Sequence, residues 1–195
     1  MSFKIPSKQQ RGVTLIELIL FIMIIGIALT AILGVMNVTS RHSADTLRDK
    51  QALMIAEGLL EEVQLARFTF CDPGSDNVDT AASSSACTIS EGWGPEAGNT
   101  RPYDNINDYV TAANTATAAF NNGGVLADAN GRALGVNGYT ATVTVTPDTL
   151  GPAGAQVGAG GTAADTDMLR IRITVAYDNA SLSLDGYRAR YAPNN

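Results

Sequence analysis

The feature that most constrains this chain is an apolar stretch close to its N-terminus. Residues 18–36 contain a single polar side chain, Thr30. These roughly 19 residues approach the ~20 that an α-helix needs to cross a bilayer. Lys4, Lys8 and Arg11 precede the stretch and predict a cytoplasmic N-terminus, because positive charge favours that side of the membrane. The sequence therefore predicts one membrane-length helix, with the rest of the chain on the opposite side.

The order of residues around Gly12 differs from that of a secretory signal. Such a signal places its small-residue cleavage site after the apolar core, whereas Gly12 lies before it. We therefore expect the apolar helix to remain on the mature protein. Glu17 is an ionisable side chain at membrane depth, which costs several kcal/mol unless it is paired and so indicates a function.

The run Gly12-Val13-Thr14-Leu15-Ile16-Glu17-Leu18 resembles the processing site of type IV pilins and type II secretion pseudopilins. The resemblance implies that a prepilin peptidase cuts after Gly12 and methylates Val13, where the family usually has phenylalanine. It also implies that the retained helix becomes the filament core. The new amine of Val13 in a neighbouring subunit is then a natural counter-ion for Glu17. The alternative is a plain membrane anchor whose Glu17 lies at the cytoplasmic interface.

The helical pattern continues beyond the apolar stretch with a changed composition. Residues 39–68 carry apolar side chains at three- and four-residue spacing, which predicts an amphipathic helix; they are Leu47, Met54, Ile55, Leu59, Val63 and Ala66. No proline occurs in residues 13–67, so one continuous helix of about 55 residues and roughly 80 Å is expected. Its second half needs a sheet to cover the apolar side.

The strand signals come late in the chain. Residues 139–146 and 168–177 alternate between apolar and polar side chains, as in strands with one buried face. Residues 181–184 and 187–191 flank Asp185-Gly186, a strong hairpin signal. We therefore predict an α+β fold of the type IV pilin-like lollipop kind, with a long N-terminal α-helix packed under an antiparallel sheet of about four strands.

The two cysteines, Cys71 and Cys87, both follow the membrane stretch. They are expected to lie in an oxidising space, where a disulfide is predicted. Asp72, Asp76 and Asp79 in the same loop could line a calcium site. However, their spacing fits no EF-hand and loop aspartates usually cap turns, so neither a metal nor a cofactor is predicted.

Four arginines in the late strands suggest a second kind of site. If their strands pair, the four could form one patch able to grip phosphates or sugar acids; they are Arg170, Arg172, Arg188 and Arg190. The alternative is a solvated face balanced by nearby aspartates. The chain as a whole is acidic, with a formal net charge of −6, which argues against a general nucleic-acid partner.

A second resemblance is spread across residues 43–191. The end of the long helix, the aromatic and acidic segment 101–109 and the closing strands are similar to the minor pilins of mannose-sensitive haemagglutinin (MSHA) pili, of the MshD kind. This resemblance implies a minor subunit of a type IV pilus that supports assembly, adhesion or a related surface function. The implied partners are other pilin subunits, the prepilin peptidase, the inner-membrane assembly machinery and, before assembly, the membrane itself. The implied location is the bacterial inner membrane and then the filament at the cell surface.

The domain organisation expected from these patterns has four parts: leader 1–12, apolar filament-core helix 13–38, amphipathic helix 39–70 and β-rich head 71–195. Two other functions remain open: a minor pseudopilin of a type II secretion system, and an adhesive or DNA-binding minor pilin that uses its head. An enzyme is not predicted, because the sequence has no nucleophile motif, no phosphate loop and only one histidine.

Overall fold

The computed structural model describes residues 12–156, 158 and 166–190, and of residues 41–45 only the backbone. All of the predicted leader except Gly12 therefore lies outside the described residues. The chain divides into two compact units, Met1–Leu47 and Arg48–Asn195. This division falls inside the predicted amphipathic helix, and the four-part organisation remains a prediction.

Helix α1 spans Leu15–Leu65. Its residues in Leu15–Ser40 are mostly apolar, and the hydroxyl groups of Thr30 and Thr39 are satisfied within the helix. Thr30 Oγ1 donates to the carbonyl of Ile27 at 2.8 Å, and Thr39 Oγ1 donates to that of Val35 at 2.9 Å. Bonding of a hydroxyl to the preceding turn lets a threonine lie in an apolar helix without an unpaired donor.

The described residues of the second unit form, beyond the end of α1, two antiparallel sheets and two short 3₁₀ helices. The small sheet pairs β1 (Asn121–Asn122) with β2 (Val125–Leu126). The large sheet has the order β3-β4-β5, with β3 at Tyr139–Pro147, β4 at Met168–Tyr177 and β5 at Ala180–Ala189. The 3₁₀ helices are Ser84–Ala86 and Ile106–Tyr109. The predicted α+β class, with a long N-terminal helix and an antiparallel sheet, is confirmed.

The core of the second unit lies between α1 and one face of the large sheet. On the helix, Ala52, Ala56 and Val63 are fully buried, and the strands contribute alternate residues such as Val143 and Ile173, which face each other across β3 and β4. The predicted stripe on the helix is only partly buried, because its members Leu47 and Met54 are 59% and 70% exposed. Small residues rather than bulky ones therefore line much of the helix contact.

The structure corrects the expected hairpin at Asp185-Gly186. Both residues lie inside β5, where Gly186 pairs with Ile171 of β4, so the large sheet has three strands instead of about four. The turn lies at Asp178, whose φ of 47° is in the left-handed region that aspartate tolerates. Gly186 has a packing role, because an added Cβ would lie 2.9 Å from Leu60 Cδ1 of α1.

Polar contacts connect residues 48–51 of α1 to the first residue of β3, the last residue of β4 and the turn after β4. Tyr177 Oη donates to Asp49 at 2.6 Å, and Tyr139 Oη donates to Gln51 Oε1 at 2.8 Å. Arg48 forms an ion pair with Asp178 in the turn. Since tyrosine hydroxyls at a buried edge need partners, these contacts fix how far the helix extends across the sheet.

Candidate functional site

The N-terminal residues predicted for processing lie just before the helix begins. Gly12, Val13 and Thr14 have no regular secondary structure and are exposed. The Thr14 carbonyl accepts the first helical bonds, from the amides of Glu17 at 3.1 Å and Leu18 at 3.2 Å. The peptide bond after Gly12 therefore lies outside the helix.

Glu17 lies in the first turn of α1. It is the only charged residue in the segment Leu15–Ser40. The N-terminal end of a helix carries partial positive charge, so a carboxylate there is favoured by 0.3–1 kcal/mol, as an order of magnitude. That contribution is smaller than the several kcal/mol that membrane depth would cost an unpaired carboxylate. A carboxylate at membrane depth would therefore need a further partner.

The apolar side chains of the first unit are uncovered. Leu15–Ser40 is a 26-residue segment whose most apolar 18 residues have a mean hydropathy of 3.0, and none of those 18 residues is buried. By length and composition it can cross a membrane, and at 1.5 Å per residue it is about 39 Å long. The exposed side chains range from Ile25 at 39% to Leu15 at 78%. Such a surface requires lipid or other helices around it.

The two cysteines form a disulfide. Sγ of Cys71 is 2.08 Å from Sγ of Cys87, and the Cα atoms are 5.3 Å apart. Cys71 is fully buried. Asp72, the next residue, caps a turn through a hydrogen bond from the Gly74 amide to its Oδ1 at 2.5 Å, which is the turn-capping role expected from the sequence. Asp76 is exposed.

The four arginines do not form one patch. Residues that face each other across antiparallel strands lie on the same side of a sheet, and Arg188 faces Leu169, a core residue. Arg170 and Arg172 alternate with the core residues of β4 and therefore lie on the opposite side. The expectation of a single site for phosphates or sugar acids is corrected on this ground.

Three of the arginines have partners within the head. Arg172 makes two 2.7 Å hydrogen bonds to Asp185 and holds the pKa of that carboxyl below its usual range. Arg170 lies 3.4 Å from Asp148. The guanidinium of Arg190 lies about 4 Å from the ring centroids of two phenylalanines, Phe68 and Phe70. These contacts connect β4 to β5, β4 to the residue that follows β3, and the end of β5 to the segment that follows α1.

A buried ion pair ties the helix to the segment that follows the disulfide loop. Arg101 Nε and Nη2 donate to the two carboxylate oxygens of Glu62 at 2.6 and 2.8 Å, and both side chains are 10% exposed. Tyr109 donates its hydroxyl to Glu62 at 3.0 Å. Burial, and then the charge of Glu62, raises the pKa of this tyrosine. The aromatic and acidic segment thus packs under the helix end.

Sequence reasoning missed an acidic cluster in the head. Single carboxylate oxygens of Asp72, Glu91 and Glu96 lie within 4.8 Å of one another, as do those of Glu96, Asp104 and Asp108. Burial, reinforced by Asp108, raises the pKa of Glu91 to about 8. Burial, reinforced by Glu96, raises that of Asp108 to about 7. Their irregular spacing along the chain gives no motif, so only the folded loop brings them together.

The comparisons with known proteins agree with the N-terminal geometry. Residues 7–33 match the family model of the prokaryotic N-terminal methylation motif. No curated protein and no solved structure matches the chain. The match therefore concerns the N-terminal segment.

The motif and the fold together support a type IV pilin-like or pseudopilin protein. The motif implies processing by prepilin peptidase and assembly with other pilins. The apolar helix fits a precursor anchored in the inner membrane and later assembled into a pilus. The family that carries this motif is structural rather than enzymatic.

Proposed function

We propose that this protein is a minor subunit of a type IV, MSHA-like pilus, inserted into the filament through its N-terminal helix. The observation that carries the proposal is the uncovered 26-residue apolar helix, preceded by an exposed Gly12-Val13 junction and containing one carboxylate, Glu17. A helix that served only to anchor the head would need neither the junction nor the carboxylate.

The proposed maturation removes residues 1–12 and leaves Val13 as a methylated N-terminus. Residues 13–38 then form the filament core, residues 39–70 the segment that enters the head, in which α1 ends at Leu65, and residues 71–195 the head itself. Before assembly, lipid covers the apolar side chains. After assembly, the corresponding helices of neighbouring subunits cover them. Lipid tails and apolar side chains are similarly apolar, so close packing between helices is what favours their association.

Glu17 has the central role in this mechanism. It lies in the first helical turn, four residues from Val13 in sequence. The amine of a neighbouring subunit can therefore approach Glu17 when two helices are offset along their axes. The pairing would compensate a charge that is costly at membrane depth. The amine and the carboxylate could meet only at one offset of the two helices along their axes. The pairing thereby favours correct insertion over random helix association.

The assignment as a minor subunit of the MSHA type depends on the resemblance of residues 43–191 to that group. The head is suited to a specialised subunit, because it combines a three-stranded sheet with a long disulfide-closed loop region. Adhesion is compatible with this proposal. For DNA binding by the head, the separation of the arginines on two sides of the sheet removes the support that the sequence suggested.

Substitution of Glu17 tests the mechanism. Glu17→Ala should leave cleavage after Gly12 intact, measured by mass spectrometry of the mature N-terminus, and should reduce the amount of this subunit in sheared filaments at least tenfold. Glu57→Ala is the matched control, because Glu57 is an exposed acid on the same helix outside the apolar segment. Normal incorporation of the Glu17 variant, or equal loss in both variants, would contradict the mechanism.

Photo-crosslinking in intact cells tests the assembly. A crosslinking residue placed at Met54 or Leu65, which are 70% and 78% exposed, should capture other pilin subunits. Placed at Ser181, an exposed residue of β5, it should capture them less efficiently. Capture of secretion-system pseudopilins instead, together with a secretion defect in a deletion strain, would assign the protein to a type II secretion system.

A further inference from the structure

The loop region before and within the second 3₁₀ helix folds back so that acidic residues far apart in sequence meet. The Gly94 amide donates to the Asn107 carbonyl at 3.1 Å, which places the segment carrying Glu96 beside the segment carrying Asp104 and Asp108. One carboxylate oxygen from each of these three acids lies within 4.8 Å of the other two. Two oxygens bound to one calcium ion at about 2.4 Å can be at most about 4.8 Å apart. The three acids are therefore close enough to bind one ion together.

The buried member of the cluster has an oxygen without a hydrogen-bond partner. Asp108 is 2% exposed; its Oδ2 accepts from the Asn105 amide at 3.2 Å, while its Oδ1 has no partner. Asn105 also has a buried Oδ1 without a partner. Buried carboxylate oxygens normally find donors, so the Oδ1 atom of Asp108, which belongs to the acidic group, indicates a ligand that accepts its lone pairs.

The cluster also lacks positive charge. The ion pairs in the part of the chain that the structure describes do not include Glu91, Glu96, Asp104 or Asp108. The neighbouring donor is the Asn99 amide, whose Nδ2 lies 3.2 Å from Glu96, 2.9 Å from Asp104 and 3.4 Å from Asp108. A neutral amide thus lies among three carboxylates and supplies only partial charge.

We propose that Glu96, Asp104 and Asp108 bind a calcium ion in the head, beside the second acidic group that Glu96 forms with Asp72 and Glu91. The ligands are all oxygens, carried by loop residues and by one short 3₁₀ helix, which suits the flexible coordination of Ca²⁺ better than the tight octahedral geometry that Mg²⁺ demands. The ion would occupy the region now bridged by the Asn99 amide, which turns aside on binding. The bound ion then connects the two arms of the loop region.

This site differs from the calcium set considered from the sequence, because Asp76 and Asp79 belong to neither acidic group. It is also independent of the proposed role in a filament, since it lies in the head. Its function would be to stabilise the head in a space where calcium is present. Extracellular calcium modules of this kind have dissociation constants of about 10⁻⁴–10⁻³ M, and we expect a value in this range.

The test measures calcium directly on the full processed chain in detergent. Titration with CaCl₂ by calorimetry and thermal unfolding followed through Trp93 fluorescence should both respond, with Tm rising by several degrees between chelator and 5 mM calcium. Glu96→Gln should weaken calcium binding at least tenfold without affecting folding, because Glu96 is exposed. Asp79→Asn is the control, since Asp79 is an exposed aspartate of the disulfide loop and should retain the full calcium response.

Two further variants distinguish a cation site from general charge repulsion. Asp108→Asn should remove the calcium response while keeping the acceptor for the Asn105 amide. Asn99→Lys should place an ammonium among the acids, raise Tm in chelator and abolish the calcium response. The proposal would be overturned by an unchanged Tm and no binding heat in the wild type, or by a calcium response that survives both Glu96→Gln and Asp108→Asn. Loss of the response in Asp79→Asn alone would place calcium in the disulfide loop and also overturn it.

Discussion

Replacing Glu62 by glutamine should strongly destabilise the head. Glu62 accepts two hydrogen bonds from Arg101 and one from Tyr109, and the pair is only 10% exposed on both sides. Arg101 also donates to the Ala127 carbonyl at 2.8 Å and lies over the ring of Phe120. Glutamine keeps the shape of the side chain but removes its charge and directs an amide donor at a guanidinium donor.

The expected magnitude follows from the burial of the pair. Breaking a buried ion pair from one side typically costs about 3–5 kcal/mol, because the remaining charge is left uncompensated. Marginal stability of a domain is about 5–15 kcal/mol, so Glu62→Gln should remove a substantial fraction of it. Replacing both partners, as in Glu62→Met with Arg101→Met, should cost less than the sum of the single changes, since no buried charge remains.

The assay is urea unfolding of the full chain in detergent, followed by the fluorescence of Trp93. Trp93 is the only tryptophan and packs against the core, so it reports on the head. Glu61→Gln is the control, because Glu61 is the exposed neighbour on the same helix and should change the free energy of unfolding by no more than about 0.5 kcal/mol. A Glu62 variant within 1 kcal/mol of the wild type, or no less stable than the control, would refute the reasoning.

Three further predictions concern the second unit. Changing Cys71 and Cys87 to serine should lower the free energy of unfolding by about 3 kcal/mol, because the bridge closes a loop of 16 residues; oxidised and reduced wild type compared by urea unfolding would check this. Gly186→Ala should cost about 1–3 kcal/mol through overpacking against α1, and unaltered thermal stability would contradict that role. Asp185, whose pKa is lowered first by its hydrogen bond to Arg172, should contribute stability above its unfolded-state pKa and lose it as pH falls through the lowered folded value. The effect should be below about 1 kcal/mol because the pair is exposed, so Asp185→Asn should reduce stability slightly at pH 7, by an amount that shrinks as the carboxyl is protonated at lower pH.

Several of these contacts show why the sequence predicted the helix better than its packing. Helical period and the absence of proline are local properties, and they predicted the course of α1 to within a few residues of its end at Leu65. Which side of the helix is buried depends on the partner surface. The structure buries Ala52 and Ala56 completely and leaves Met54 exposed, so the side of the helix that packs against the head is not the side with the largest apolar residues.

The hairpin shows the same limit in the sheet. Asp185-Gly186 is a turn signal when read locally, yet the pairing of Met168–Tyr177 with Ala180–Ala189 gains a longer ladder by turning at Asp178 instead. Glycine in this position serves the helix contact rather than the turn. The local preference was therefore outweighed by hydrogen bonds and packing that involve residues distant in sequence.

The sequence by itself determined the membrane-length helix and the single carboxylate in its first turn, because hydropathy and order along the chain need no tertiary partner. It also placed both cysteines in one loop and thereby predicted their pairing. Only the tertiary structure decided which side of the sheet each arginine occupies and which acids meet in the head. A strand's register assigns every side chain to one face, and a folded loop sets distances that spacing along the chain does not contain.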